Sequence, residues 1–95
     1  RDIAVLVTST GKDRLSAEMF HFGNSPRKMH AECYMLNPGV YHMQLFALSS
    51  DEQEVLSAQQ IFIDERHRRI DFQIPAQRLC KMVIKSAVRE NDSGE

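Results

Sequence analysis

Tryptophan is absent from this sequence; glycine occurs four times, proline three times and cysteine twice. So little glycine leaves no material for a Gly-rich phosphate cradle, and neither phosphate-loop pattern is present. Two cysteines exclude a disulfide framework but permit one bridge. With no indole to bracket, Cys33 and Cys80 cannot build an antibody-type core. An excess of charge of one sign is missing too. Twelve Lys and Arg face thirteen Asp and Glu, a net of −1, so no global field draws the chain to nucleic acid or an anionic membrane. Charges or turns interrupt every apolar run short of the ~18 residues a spanning helix needs, so no membrane span is expected. Paired carboxylates at catalytic spacing and a Ser/His/Asp set are likewise lacking. The sequence reads as non-enzymatic and implies no cofactor.

What is present is one soluble globular domain. Ninety-five residues, 42% hydrophobic and 26% charged, hold a single modest core. The start, Arg1-Asp2-Ile3-Ala4-Val5, has neither an initiating Met nor a signal-peptide layout. The chain therefore reads as a domain excised from a larger protein, with residues 1–88 folded and 89–95 a disordered tail. Asn91-Asp92-Ser93 in that tail forms an isolated N-x-S sequon.

The dominant period is two. Ile3, Val5 and Val7 alternate with Ala4, Leu6 and Thr8, both sets largely apolar, as in a strand inside a packed sheet. A second strand, Leu15 to Phe22, sets Phe20 and Phe22 beside Glu18 on one face and Leu15, Ala17 and Met19 on the other. Gly23 to Pro26 breaks it. A third strand is expected over Lys28 to Leu36, then an Asn37-Pro38-Gly39 turn of type II and a fourth strand from Val40 to Leu48. Ser49 to Asp64 admits two readings. Ser49-Ser50-Asp51-Glu52 matches a helix capping box, which gives an α+β alternative with one helix at about 51–63. The β-branched and aromatic run Ile61-Phe62-Ile63 favours a strand starting near Glu54. Ile70, Phe72 and Ile74 alternate with Asp71 and Gln73 up to Pro75, and Leu79 to Ala87 sets Cys80, Met82 and Ile84 against Lys81, Val83 and Lys85. The fold class expected is all-β, a small two-sheet antiparallel sandwich of about seven strands.

Leu36-Asn37-Pro38-Gly39-Val40-Tyr41-His42-Met43-Gln44-Leu45 resembles the L-x-P-G-x-Y-x-L element of transthyretin-like sandwiches, including the regulatory-like domains appended to carboxypeptidases. Ile61-Phe62-Ile63 and Ile70 to Pro75 look similar to the closing strands of those domains. The pattern is shared with fibronectin type III and other immunoglobulin-like modules. The resemblance covers residues 36–75 and implies an accessory module that docks beside a larger domain without catalysis.

Four groups of side chains invite a site. The histidines His21, His30, His42 and His67 lack the His-x-His or His-x3-His spacing of a metal centre. A hairpin at Pro38-Gly39 would bring His30 and His42 near each other, and half-exposed surface histidines are the plainer reading. Cys33 and Cys80 are either bridged or two buried thiols. Arg66, His67, Arg68 and Arg69, with Arg78, Lys81 and Lys85, make a basic carboxyl third. That is a surface for anionic partners or, more plainly, a solvated turn with edge-strand lysines that discourage aggregation. Aromatics are not interleaved with these charges, so nucleic acid is not expected. Tyr34 and Tyr41 flank the Pro-Gly turn, as a carbohydrate platform or as caps on the core. The expected function is docking to a neighbouring domain or a protein partner, through strand edges and residues such as Met19, Phe20 or Met43 where these are not core. A carbohydrate-binding accessory module is the alternative.

Overall fold

The computed structural model describes residues 3–49 and 51–87; the carboxyl tail and its sequon lie outside them. Seven strands follow in order: β1 (Ile3–Thr10), β2 (Arg14–His21), β3 (Arg27–Glu32), β4 (Gly39–Leu48), β5 (Gln53–Ile63), β6 (Arg69–Ile74) and β7 (Leu79–Ser86). One sheet has the strand order β1-β2-β7-β4-β5 and the other is the pair β3-β6. All neighbours are antiparallel. The all-β sandwich expected from alternation is what forms. The capping-box helix does not: residues 53–63 pair along β4 instead, because the Ile61-Phe62-Ile63 end is an apolar ladder partner for Gly39, Val40 and Tyr41.

The chain builds the large sheet from two hairpins and one returning strand. β1-β2 and β4-β5 are the hairpins, β3 and β6 are excursions to the second layer, and β7 returns to the centre between β2 and β4. Alternation then does the packing. Tyr41, Met43, Leu45 and Ala47 of β4, Cys80, Met82 and Ile84 of β7, and Ala17 and Met19 of β2 are all buried on one face. Ile70 and Ile74 of β6 close over them, and Ile63, Cys33 and Leu36 complete a single apolar cluster. Opposite Leu45 the ladder shifts, since Leu45 pairs with Ser57 while Phe46 pairs with Val55. This bulge leaves Leu56 between them, turned to pack on the core.

Three local expectations are corrected. β3 ends at Glu32, and the Pro38-Gly39 segment is not a hairpin turn between paired strands. Gly39 already belongs to β4, opposite Ile63, with φ at +154° rather than the roughly +80° a type II turn requires. The reason is a set of anchors on the crossing segment. The Cys33 N–H donates to the Arg68 carbonyl at 2.8 Å and the Asn37 N–H to the Lys12 carbonyl at 2.7 Å. Tyr41 Oη donates back to the carbonyls of Asn37 at 2.6 Å and Lys12 at 3.2 Å. Second, β1 is not interior. It borders the large sheet, and Val5, Leu6 and Val7 are each more than half exposed. Third, Lys81 and Lys85 do not guard an edge, because β7 is the middle strand.

Candidate functional site

The residues singled out in the sequence fall in separate places. Tyr41 is core, 2% exposed, with its hydroxyl engaged as above. Burial pushes its phenol above the ordinary range, with the Asp13 carboxylate adding to this and Arg68 opposing it. Tyr34 is 68% exposed and donates to Glu32 Oε1 at 2.6 Å. One ring is inside and the other outside, so they form no shared platform for a sugar. His30 and His42 do not meet either. His30 stands on β3 opposite Asp71, whereas His42 stands on β4 between Gln60 and Lys85. The two lie on different sheets because β3 pairs with β6 and not with β4.

The basic run also divides. Arg68 donates from Nη1 to the carbonyls of Cys33 at 3.2 Å and Leu36 at 3.0 Å, so it clamps the crossing segment rather than awaiting a ligand. Arg69 holds Asp71 at 3.0 Å. Arg78 holds Glu54 at 3.2 Å. Arg66 and His67 belong to a turn organised by Asp64, whose Oδ1 accepts both backbone N–H groups at 2.8 and 2.7 Å. Those bonds, the Arg66 N–H foremost and His67 adding, hold the Asp64 carboxyl below its usual range. Tyr34, Glu32, Arg66 and Arg68 do line one depression of about 150 Å³. A second, of about 460 Å³, is lined by Lys28, His30, Arg69 and Asp71 on the open face of the small sheet. Across that face the charges balance as a set: Lys28 and Arg69 are matched by Glu32 and Asp71, with Glu32 directly opposite Arg69 and Lys28 opposite the neutral Gln73. Such a face attracts neither sign strongly.

Cys33 and Cys80 are buried and unbridged. Burial pushes both thiols up, against opposition from Arg68 and Arg78 respectively, so at neutral pH both are small apolar groups. His21 is buried at the end of β2, with its ring under Gly23. Gln77, at a φ of +61°, ties down the same corner by donating from its backbone to the His21 carbonyl at 2.8 Å. Among the described residues no group of three His, Cys, Asp or Glu converges as metal ligands. No helix among them is long and apolar enough to cross a membrane.

The opposite side of the molecule differs. On the outer face of the large sheet, Ala4, Phe20, Leu79 and Leu48 stand side by side on four adjacent strands. The next row carries Leu6, Glu18, Lys81, Phe46 and Val55. Phe22 extends the belt, its ring 4.7 Å from that of Phe20. Leu6, Phe22, Val55 and Leu79 are 63, 55, 56 and 40% exposed. Beside this belt runs a polar band in which Arg14, Lys85 and His42 are cross-strand neighbours. Of the apolar residues named from sequence, Met19 and Met43 are core and only Phe20 joins the belt. The others escaped notice because an outer-face leucine is the same residue type as a core leucine. The available signal was Phe20 and Phe22, two aromatics on the face of the expected second strand opposite Leu15, Ala17 and Met19. No protein-family model matches this sequence, and no curated protein matches it.

Proposed function

We propose that the chain is a non-catalytic docking module, which seats the outer face of its large sheet on another protein domain, in the same polypeptide or in a partner. The observation that carries this is the belt of Leu6, Phe20, Phe22, Leu79, Leu48, Phe46 and Val55 across five strands. Scattered surface apolar residues need no explanation, but a contiguous belt rimmed by polar groups marks an interaction surface. Aromatic centres with a charged border are also what protein interfaces use. The border here is cationic: Arg14 and Lys85 stand together in the polar band beside the belt, while Lys81 and Glu18 face each other within it. A partner with apolar contacts edged by carboxylates meets both features.

The test is quantitative crosslinking in an extract with three forms of the protein: wild type, Phe22→Glu with Leu79→Glu, and His30→Ala with Arg69→Ala. Partners captured by wild type are expected to be retained by the small-sheet variant and lost by the belt variant. Capture that ignores the belt, or that falls only with the small-sheet change, defeats the proposal.

A further inference from the structure

The borders of the two sheets differ in chemistry. Natural sheets keep free edges from pairing with charges, bulges or proline. On the far side of the large sheet, β5 carries Glu54 in its ion pair with Arg78 and the bulge at Leu56. The small sheet carries Arg27, Lys28 and Glu32 on β3, and Arg69 and Asp71 on β6. β1 has none of these from Ile3 to Val7; its sequence through Thr10 is IAVLVTST, and its ladder stays regular until the shift at Thr8. From Ile3 to Val7, among the described residues, its outer row of backbone donors and acceptors is therefore unguarded by these devices.

Its side chains are also half used. Ile3, Val5 and Val7 are the ladder partners of His21, Met19 and Ala17, all buried, so they continue the inner, apolar face of the large sheet. Ile3 packs against the core, but the two-stranded layer does not extend over Val5 and Val7, which remain 56 and 54% exposed. An occupant of this edge must supply a strand, apolar side chains for the inner face, and no charge, since a charge in this seam would lose hydration without a counter-charge.

We propose that the occupant is a second copy of this chain, paired β1 to β1 antiparallel about a two-fold axis. Centred on Val5, that axis sets Ile3 opposite Val7, Ala4 opposite Leu6 and Val5 opposite itself. Every facing pair is apolar, and the alternation of sides is preserved. The strand is thus its own complement, as a two-fold interface requires. The two large sheets join into one of ten strands. Six inner side chains, three from each copy, make a continuous strip flanked by the two small sheets. This seam meets the outer belt only at Ala4 and Leu6, and the substitutions that test each surface lie outside the other, so each proposal can fail alone.

The test is sedimentation equilibrium of the whole chain over a wide concentration series. The mass is expected to move reversibly from one chain to two and no further. Val5→Lys with Val7→Lys places four like charges in the seam and is expected to weaken the dimer by roughly tenfold or more. A circular-dichroism spectrum and a urea midpoint confirm that this variant is folded, and Phe22→Glu on the outer face is expected to leave the dimer unchanged. In the register proposed, Val5→Cys self-crosslinks under mild oxidation faster than Thr10→Cys. A single-chain mass at every concentration, open-ended growth, a dimer indifferent to the two lysines in folded protein, or equal crosslinking at the two positions would each overturn the proposal.

Discussion

β4 and β1 have nearly the same sequence character and opposite fates. Both are long, apolar and uninterrupted by proline. Along β4, burial alternates cleanly, with Tyr41, Met43, Leu45 and Ala47 at 2% exposure or less. Along β1, only Ile3 is half-buried, and the residues after it are exposed. Both turn one side toward the space between the layers; the difference is what lies there. Two strands cannot roof five, so the small sheet covers the middle and leaves the border bare. Position in the sheet, and not hydrophobicity, decides which of these side chains stabilise the monomer.

Truncations give the largest test of that contrast. Leu45→Ala and Ile84→Ala each remove a fully packed side chain, at 1 and 0% exposure, and are expected to cost about 2–5 kcal/mol each. Val5→Ala and Val7→Ala in dilute protein should cost no more than about 0.5 kcal/mol. Urea midpoints with unchanged slopes are the measurement. A cost for Val7→Ala comparable to that for Leu45→Ala would mean the border is covered after all.

The two tyrosines repeat the contrast at smaller scale. Tyr41→Phe leaves the Asn37 carbonyl without the hydroxyl it accepts from at 2.6 Å, and is expected to cost about 1–3 kcal/mol. Tyr34→Phe deletes an equally short bond, to Glu32, but at an exposed position, and should stay within about 0.5 kcal/mol. Two glycines follow. A Cβ on Gly23 would stand 2.6 Å from Cε1 of the buried His21 ring, whereas on Gly11 the nearest atom is 3.9 Å away. Gly23→Ala is therefore expected to cost about 1–2 kcal/mol and Gly11→Ala to be neutral or slightly stabilising, by roughly 0.5 kcal/mol. Thermal midpoints in parallel would show it; equal effects would place His21 elsewhere.

Alternation made the fold class legible, because a period of two states which way each side chain points. It made β2, β4, β6 and β7 readable almost residue by residue, with Met43, Cys80 and Ile84 all on the predicted inner stripes. It cannot state what lies above a stripe or which strand lies beside which. For that reason β1 reads as interior, Lys81 and Lys85 read as edge guards, and the Pro38-Gly39 segment reads as a hairpin. Each depends on a long-range neighbour: the reach of the small sheet, the return of β7 between β2 and β4, and the Arg68 and Lys12 anchors on the crossing chain. The candidate site was less legible. Residue type drew attention to Arg68 and Tyr41, which hold the fold together, and passed over Leu79, Val55 and Phe22, which are ordinary residues in an exposed place.

The smallest expected effect is a slope with pH, and it separates covered from bare once more. Burial first, with Asp13 and Cys33 adding, lifts the Tyr41 phenol above its ordinary 10.0. The folded chain then keeps a proton the unfolded chain has already released, so Tyr41's contribution is full below about pH 10 and fades as pH climbs through the raised value. The thiols of Cys33 and Cys80, lifted by burial from 9.0, act in the same sense from about pH 9 upward. Tyr34 is lifted as well, mainly by its hydrogen bond to Glu32, but it stands in solvent, where such a bond has little hold on stability. The urea midpoint is therefore expected to show no downward trend from these groups between neutral pH and about 9, and to fall beyond it. Tyr41→Phe should make the fall above pH 10 shallower, and Tyr34→Phe should leave it as in wild type. Equal flattening by the two substitutions would show that the phenol beneath the crossing chain is no better shielded than the one outside.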